Sequence, residues 1–183
     1  DDPKHEIPAL LLVLAIDALV GRVRIIDVNL LPPREVAPLN LPNYDDWVLR
    51  EALHNCVAHQ DYAQGGRILV TESPDTLRFF NYGEFLPGSV DKVLHAAQPE
   101  QRYRNACLAN AMVELDLMET INSGVKGMFR KQRERFFPLP DYAIEGPPPS
   151  VSVTIYGRTL DERYVGALMT HTHLSLDEAV LLD

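Results

Sequence analysis

What the chain has little of removes several classes of protein at the outset. No apolar run reaches the ~20 residues that a membrane-spanning helix needs. The longest, Ile7–Leu19, is interrupted by Pro8 and takes in Asp17. No secretory leader is visible, so this run reads as a buried helix of a cytoplasmic protein with no membrane partner. There are only 2 cysteines, Cys56 and Cys107, too few for a disulfide framework. Both lie in helical patterns among apolar neighbours and read as reduced core thiols, with a Cys56–Cys107 bridge as the lesser alternative. Positive charge is in deficit: a formal net charge of -9 disfavours non-specific nucleic-acid binding by the surface as a whole. The pattern G-x-x-x-x-G-K-[ST] occurs nowhere, which excludes a P-loop motor from this chain. There is no internal repeat and no low-complexity tract. His54 and His59 diverge around a helix, which argues against a transition-metal site shared with Asp61.

What is present suits one domain with flanking pieces: 183 residues, 46% hydrophobic and 23% charged, are enough to bury a real core. Pro8 fits a helix start, Ala9–Val20 carries the run and Gly21 ends it. Val23–Val28 is β-rich. Leu31–Pro42 holds 4 prolines and reads as a loop or linker. Asp45 or Asp46 caps a helix over Trp47–His59, with Leu49, Ala52, Leu53, Cys56 and Val57 on one face. After a Gly65-Gly66 turn, Arg67–Glu72 and Thr76–Asn81 form a hairpin across Ser73-Pro74-Asp75. Gly83–Gly88 is a glycine-bearing loop, and Ser89 caps a short helix over Val90–Ala97. Asn105–Leu115 and Val125–Phe136 are further helices, the second stopped by Pro138 and Pro140. Pro147-Pro148-Pro149 reads as a linker and Val151–Tyr156 as a strand. Leu160, Tyr164 and Leu168 share a helix face, and Ser175 with Glu178 makes a capping box for a last helix.

Three segments carry chemistry. On the Trp47–His59 helix, Glu51 and Asn55 lie ~40° apart, opposite the apolar stripe, so a carboxylate and an amide point together away from the core. The pair is either an ordinary solvated face or a site in which the amide oxygen holds magnesium and the carboxylate orients water. In Phe79–Ser89 a strand enters a glycine turn and a capped helix, which is a common connection and also a place where backbone can approach a ligand. Thr120–Gly127 is a polar turn entering a helix, either a plain cap or an anion site with Lys126 adding positive charge. Lys126, Arg130, Lys131, Arg133 and Arg135 make that helix basic, as a solvated face or a phosphate or DNA contact. Trp47 and Tyr62 read as core or cleft-wall aromatics.

Taken in order, these segments resemble a known domain. The matching text is Arg50-Glu-Ala-Leu-x-Asn55 with His59-x-Asp61-Tyr62, then Asn81-x-Gly83-x-Phe-x-Pro87-Gly88-Ser89, then Arg104-Asn105 through Asn122-Ser123-Gly124. From about Tyr44 to Phe137 the chain resembles the GHKL ATPase-like C-terminal domain of RecG-like transcriptional regulators, a Schlafen-AlbA-associated family. The resemblance implies ATP and magnesium as cofactors. It implies Glu51 as the water-activating, catalytic carboxylate and Asn55 as the magnesium ligand. Asn81 stands where the superfamily has an aspartate for the adenine amino group, Gly83 matches the first glycine after it, and Ser123 and Gly124 match the phosphate-side turn, with Lys126 beside them. Asn81 in place of aspartate, Phe85 at the second glycine position and a short lid between Gly88 and Asn105 depart from the pattern. These departures bear on hydrolysis more than on fold.

The expected fold is α+β: a two-layer sandwich in which a mixed, mostly antiparallel sheet, including Val23–Val28, is covered on one face by helices. The expected division is an N-terminal helix, strand and linker over 1–43, an ATPase-like domain over 44–158, and a helical appendage over 159–183 that begins a truncated winged-helix module. Both ends look cut from a longer protein, so Leu174–Asp183 is expected to pack loosely. The expected function is adenine-nucleotide binding with slow or no hydrolysis, in a regulator that meets DNA through other domains and forms a homodimer. A non-catalytic dimerisation or regulatory scaffold of a DNA-binding protein is the alternative.

Overall fold

The computed structural model describes residues 15–30, 39–97, 102–115 and 124–158. The readings made for residues 1–14, for the turn at 116–123 that includes Ser123, and for 159–183 lie outside the described residues. No helix among the described residues is long and apolar enough to cross a membrane.

Strands β1 (Asp27–Leu30) and β2 (Leu39–Pro42) form an antiparallel pair of their own, apart from the main sheet. Two expectations are corrected here. The strand placed at Val23–Val28 starts later, and the end of the proline-rich stretch is a strand. The cause is Asn43, whose side chain accepts from the Ile26 N–H at 2.9 Å and donates to the Arg24 carbonyl at 3.2 Å. Those backbone groups are therefore held by an amide side chain instead of a ladder, and Ile25 and Ile26 are left half exposed.

The main sheet contains β3 (Leu69–Glu72), β4 (Thr76–Tyr82), β5 (Asp141–Glu145) and β6 (Ser150–Tyr156) in the order β3-β4-β6-β5, all antiparallel. The β3–β4 hairpin turns at Ser73-Pro74-Asp75 as expected, with Ser73 N–H donating to the Thr76 carbonyl at 2.9 Å. Strand β5 escaped sequence reading. It is an edge strand with a charged residue at each end, so it shows little apolar alternation. Its presence turns the Pro147–Pro149 linker into the turn of a β5–β6 hairpin.

Helix α1 (Asp46–His59) begins at Asp45, whose carboxylate accepts from the Val48 N–H at 3.1 Å. The long connection from β4 to β5 carries α2 (Val90–His95), α3 (Ala106–Glu114) and α4 (Gly124–Glu134). Helix α4 ends before its prolines. Phe136 takes a left-handed φ of 61° and the Phe137 N–H returns to the Gln132 carbonyl at 3.0 Å.

Alternation along β4 and β6 turns Leu77, Phe79, Val153 and Ile155 to one face of the sheet. There they share a core with Val48, Leu49, Ala52 and Cys56 of α1, Ala109 and Met112 of α3, and Met128 of α4. The result is the expected α+β two-layer sandwich with helices over one face. Both cysteines are free, but only Cys56 is buried; Cys107 is exposed, because α3 buries the stripe at Ala109 and Met112 and Cys107 lies off it.

One residue after α1, the fully buried Gln60 joins helix to sheet. Its Nε2 donates to the Gly66 carbonyl at 3.1 Å and its Oε1 accepts from the Tyr82 N–H at 2.9 Å. Its carbonyl accepts from Asn105 Nδ2 at 2.8 Å and its N–H donates to the Cys56 carbonyl at 2.9 Å. Replacing Gln60 by Leu keeps the volume but orphans one donor and one acceptor, at ~1–3 kcal/mol each. Urea unfolding of Gln60→Leu should show a loss of about 2–4 kcal/mol, and a loss below about 0.5 kcal/mol would contradict the clamp.

Candidate functional site

Helix α1 is buried around most of its circumference, since it packs on β4 beneath and on α3 and α4 at its sides. This corrects the reading that Glu51 and Asn55 point outward. Glu51 is only 6% exposed and Asn55 is half-buried. Asn55 Nδ2 donates to Glu51 Oε1 at 3.0 Å and to the Glu51 carbonyl at 2.9 Å. The amide is thereby oriented, and its Oδ1 makes no hydrogen bond among the described residues.

Three other described segments bear on Glu51. Gly124 opens α4, and a Cβ placed on it would lie 3.7 Å from Glu51 Oε1. Tyr103 and Tyr142 hold their phenolic protons more tightly than usual, first because they are buried and next because of the Glu51 charge. The Tyr142 ring stacks on Phe129 at 6.2 Å and meets Phe85 at 5.9 Å. Among the described residues, the carboxylate thus has a glycine at a helix start beside it, and its charge reaches two tyrosines.

The remaining expected residues fall at two places. Asn81 is on the helix-facing side at the end of β4, 5% exposed. Its Nδ2 donates to the Tyr82 carbonyl at 3.0 Å, which leaves Oδ1 without a hydrogen bond among the described residues. Gly83 has φ +129°, and a Cβ there would stand 2.9 Å from the His59 carbonyl and 3.0 Å from Arg104 Nε. Both facts require glycine. Lys126 is at α4 as expected, but its Nζ donates to the Ala96 carbonyl at 2.8 Å and so ties α4 to the end of α2. The rest of the basic helix is not a plain solvated face. Lys131 pairs with Asp45 at 3.7 Å and lies 5.3 Å from the Trp47 ring centroid, Arg130 approaches Glu134 at 3.9 Å, and Arg135 is buried, donating to the Pro42 carbonyl. Tyr62 is 52% exposed and donates to the Val57 carbonyl, so it is not a core residue.

Two residues important to this geometry were assigned no role from sequence. Tyr142 lies on the strand that was missed. Arg104 precedes the Asn105 that clamps α3 to the end of α1; the Arg-Asn pair before a small-residue helix was the available signal.

The two histidines of α1 do not converge, and no group of metal-ligating side chains occurs among the described residues. His54 lies near Arg50 and Asp17, whereas His59 rests against Tyr103 at 5.6 Å. Burial pushes both down to about 4, helped by the charge of Arg50 at His54 and of Arg104 at His59. A histidine whose folded value is depressed stabilises the fold above its unfolded value of 6.5, and that contribution is lost as pH falls toward 4. Asp61, held below the usual carboxylate range first by Gln64, titrates beneath this window. Stability measured by urea unfolding should therefore fall between pH 6.5 and 4.5, and His54→Phe should recover about 2 kcal/mol of the fall. An unchanged pH dependence in that variant would show that His54 is not buried in its neutral form.

Residues 65–155 match the family described as "Putative ATP-dependent DNA helicase recG C-terminal". None of the curated proteins compared matches the chain. Among solved structures, the DIP2311 protein from Corynebacterium diphtheriae is similar with a TM-score of 0.60 and 23% identity, over 79% of this chain and 28% of that one. The chain therefore spans about 28% of the length of that protein, and at this identity the likeness speaks for the fold. Over residues 65–155, the chain is similar to an ATPase-like domain of the RecG C-terminal type.

Proposed function

We propose that this chain binds an adenine nucleotide with magnesium and hydrolyses it slowly or not at all, as the GHKL-type module of a cytoplasmic bacterial transcriptional regulator. The observation that carries the reading is the Glu51–Asn55 pair beside Gly124, with the amide oxygen of Asn55 open among the described residues. A carboxamide oxygen is a hard ligand of the kind magnesium takes, so Asn55 would hold the ion. When bound, the ion would offset phosphate charge. Glu51 would hold a water and accept its proton. Asn81 Oδ1 would accept from the adenine amino group, and Gly83 would let the backbone approach. Ser123 and Gly124 would meet the phosphates at the start of α4, where free N–H groups favour anions. Lys126 would contribute its charge from the first turn.

Slow turnover follows from how these groups are engaged. One oxygen of Glu51 already accepts from Asn55, and Lys126 is bonded to Ala96. Rapid phosphoryl transfer needs positive charge at the reacting group and a closed, aligned water. The rings of Phe85 and Phe129 packed on Tyr142, whose phenol feels the Glu51 charge, favour the second reading, a regulatory or dimerising scaffold that keeps the shape of a nucleotide site. DNA contact would belong to other parts of a longer protein, and homodimerisation would supply a lid.

Calorimetric titration separates the two readings. Mg-ATP binding should weaken by ~1–3 kcal/mol in Asn55→Ala, the scale of one charge-assisted contact, with metal-free ADP less affected. Phosphate release by the wild type should be slow and should not exceed that of Glu51→Ala by more than a few-fold. No binding of any adenine nucleotide would move the reading to the scaffold, and fast turnover abolished in Glu51→Ala would make the protein an ATPase.

A further inference from the structure

We propose that Arg104 carries an oxyanion site of its own, beside the C-terminal end of α1. Its Nε and Nη2 are both buried and have no hydrogen-bond partner among the described residues. These two nitrogens lie on one edge of the planar guanidinium, the fork that meets two oxygens of a phosphate or carboxylate in parallel. The other edge is oriented by Asp61, whose Oδ2 lies 4.0 Å from Nη1, beyond hydrogen-bond range. Asp61 therefore aims the group without occupying the fork.

The neighbouring polar groups are committed elsewhere. The Gly83 N–H donates to the Pro149 carbonyl and the Asp61 N–H to the Tyr82 carbonyl, each at 2.8 Å. The Asn105 amide donates to the Ala58 and Gln60 carbonyls. His59 is held neutral by burial and by Arg104 itself, so it adds no competing cation. Gly83 permits the arrangement: a side chain there would place its Cβ 3.0 Å from Arg104 Nε, so this edge can lie against the loop after β4 only because residue 83 is glycine, while the Arg104 side chain as a whole is 26% exposed. A guanidinium with two buried, idle donors is costly, and an acceptor pair from outside the chain relieves the cost. His59 lies eight residues from Glu51, about 12 Å along the helix. The fork lies away from the Glu51–Gly124 pair but shares Gly83 with the proposed nucleotide site, so the two readings are told apart by the arms of the test. Its ligand is either a free oxyanion or a phosphate of a bound nucleotide.

The test follows the assigned Arg104 Nε–H resonance of the full chain by nitrogen-15 NMR during titration with inorganic phosphate, acetate and ADP in separate arms. The expected result is a saturable shift with phosphate, weakened at least about tenfold in backbone amide shifts of Gly83 and Asp61 when Arg104→Lys replaces the fork by a point charge. A shift with ADP and none with free phosphate would support the fork and assign its oxyanion to the nucleotide. No shift in any arm, or a drift that never saturates, would overturn the proposal as an adventitious ion only. Loss of nucleotide binding with the phosphate response intact would sink the nucleotide reading and leave this one standing.

Discussion

Everything placed around α1 depends on one buried amide. Gln60 sits where the helix has run out of its own hydrogen bonds and where the sheet begins, and every polar group it has is used. Its side chain spans from the Gly66 carbonyl to the Tyr82 N–H, while its backbone closes α1 and receives Asn105. A glutamine in this position is not replaceable by apolar packing, because the groups it serves are backbone groups of other elements. The clamp sets how far α1 stands from the end of β4. It thereby sets the relation of Glu51 and Asn55, on the helix, to Asn81 and Gly83, at the end of the strand.

The same geometry explains the electrostatics. Packing α1 on several sides puts a carboxylate, two histidines and a thiol in poorly solvated surroundings. The thiol of Cys56 is pushed up to about 12 and is chemically quiet. The histidines are kept neutral. Glu51 has Asn55 as a donor and raises the phenols of Tyr103 and Tyr142 in turn. A buried carboxylate beside an open amide oxygen and a glycine at a helix start is an arrangement that a ligand carrying metal and phosphate would complete.

Where local chemistry decided structure, the residues announced it. Asp45 and Ser89 are capping residues, the Ser73-Pro74-Asp75 turn dictates its hairpin, and the alternation of Val151–Tyr156 is that of a strand with one buried face. Where tertiary partners decided, the pattern was silent or misleading. Proline in Leu39–Pro42 suggested a linker, yet the segment pairs with β1 across residues held by Asn43. Strand β5 owes its existence to β6 and shows no alternation of its own. The outward reading of Glu51 failed for the same reason: helical periodicity locates the face toward the sheet and says nothing of α3 and α4, which cover the flanks of α1. Gly83 was legible as a turn glycine, but the Arg104 side chain beside it comes from the turn before α3, far along the chain.

The proposed nucleotide would lie between the loop after β4 and the start of α4, against Glu51 and Asn55. Hydrogen exchange of the full chain, read by mass spectrometry with and without magnesium and a non-hydrolysable ATP analogue, tests it most directly. The expected result is slowed exchange in Tyr82–Gly88 and in the first turn of α4, with β1 and β2 unchanged. Unaltered exchange at both segments, at analogue concentrations in the millimolar range, would contradict it.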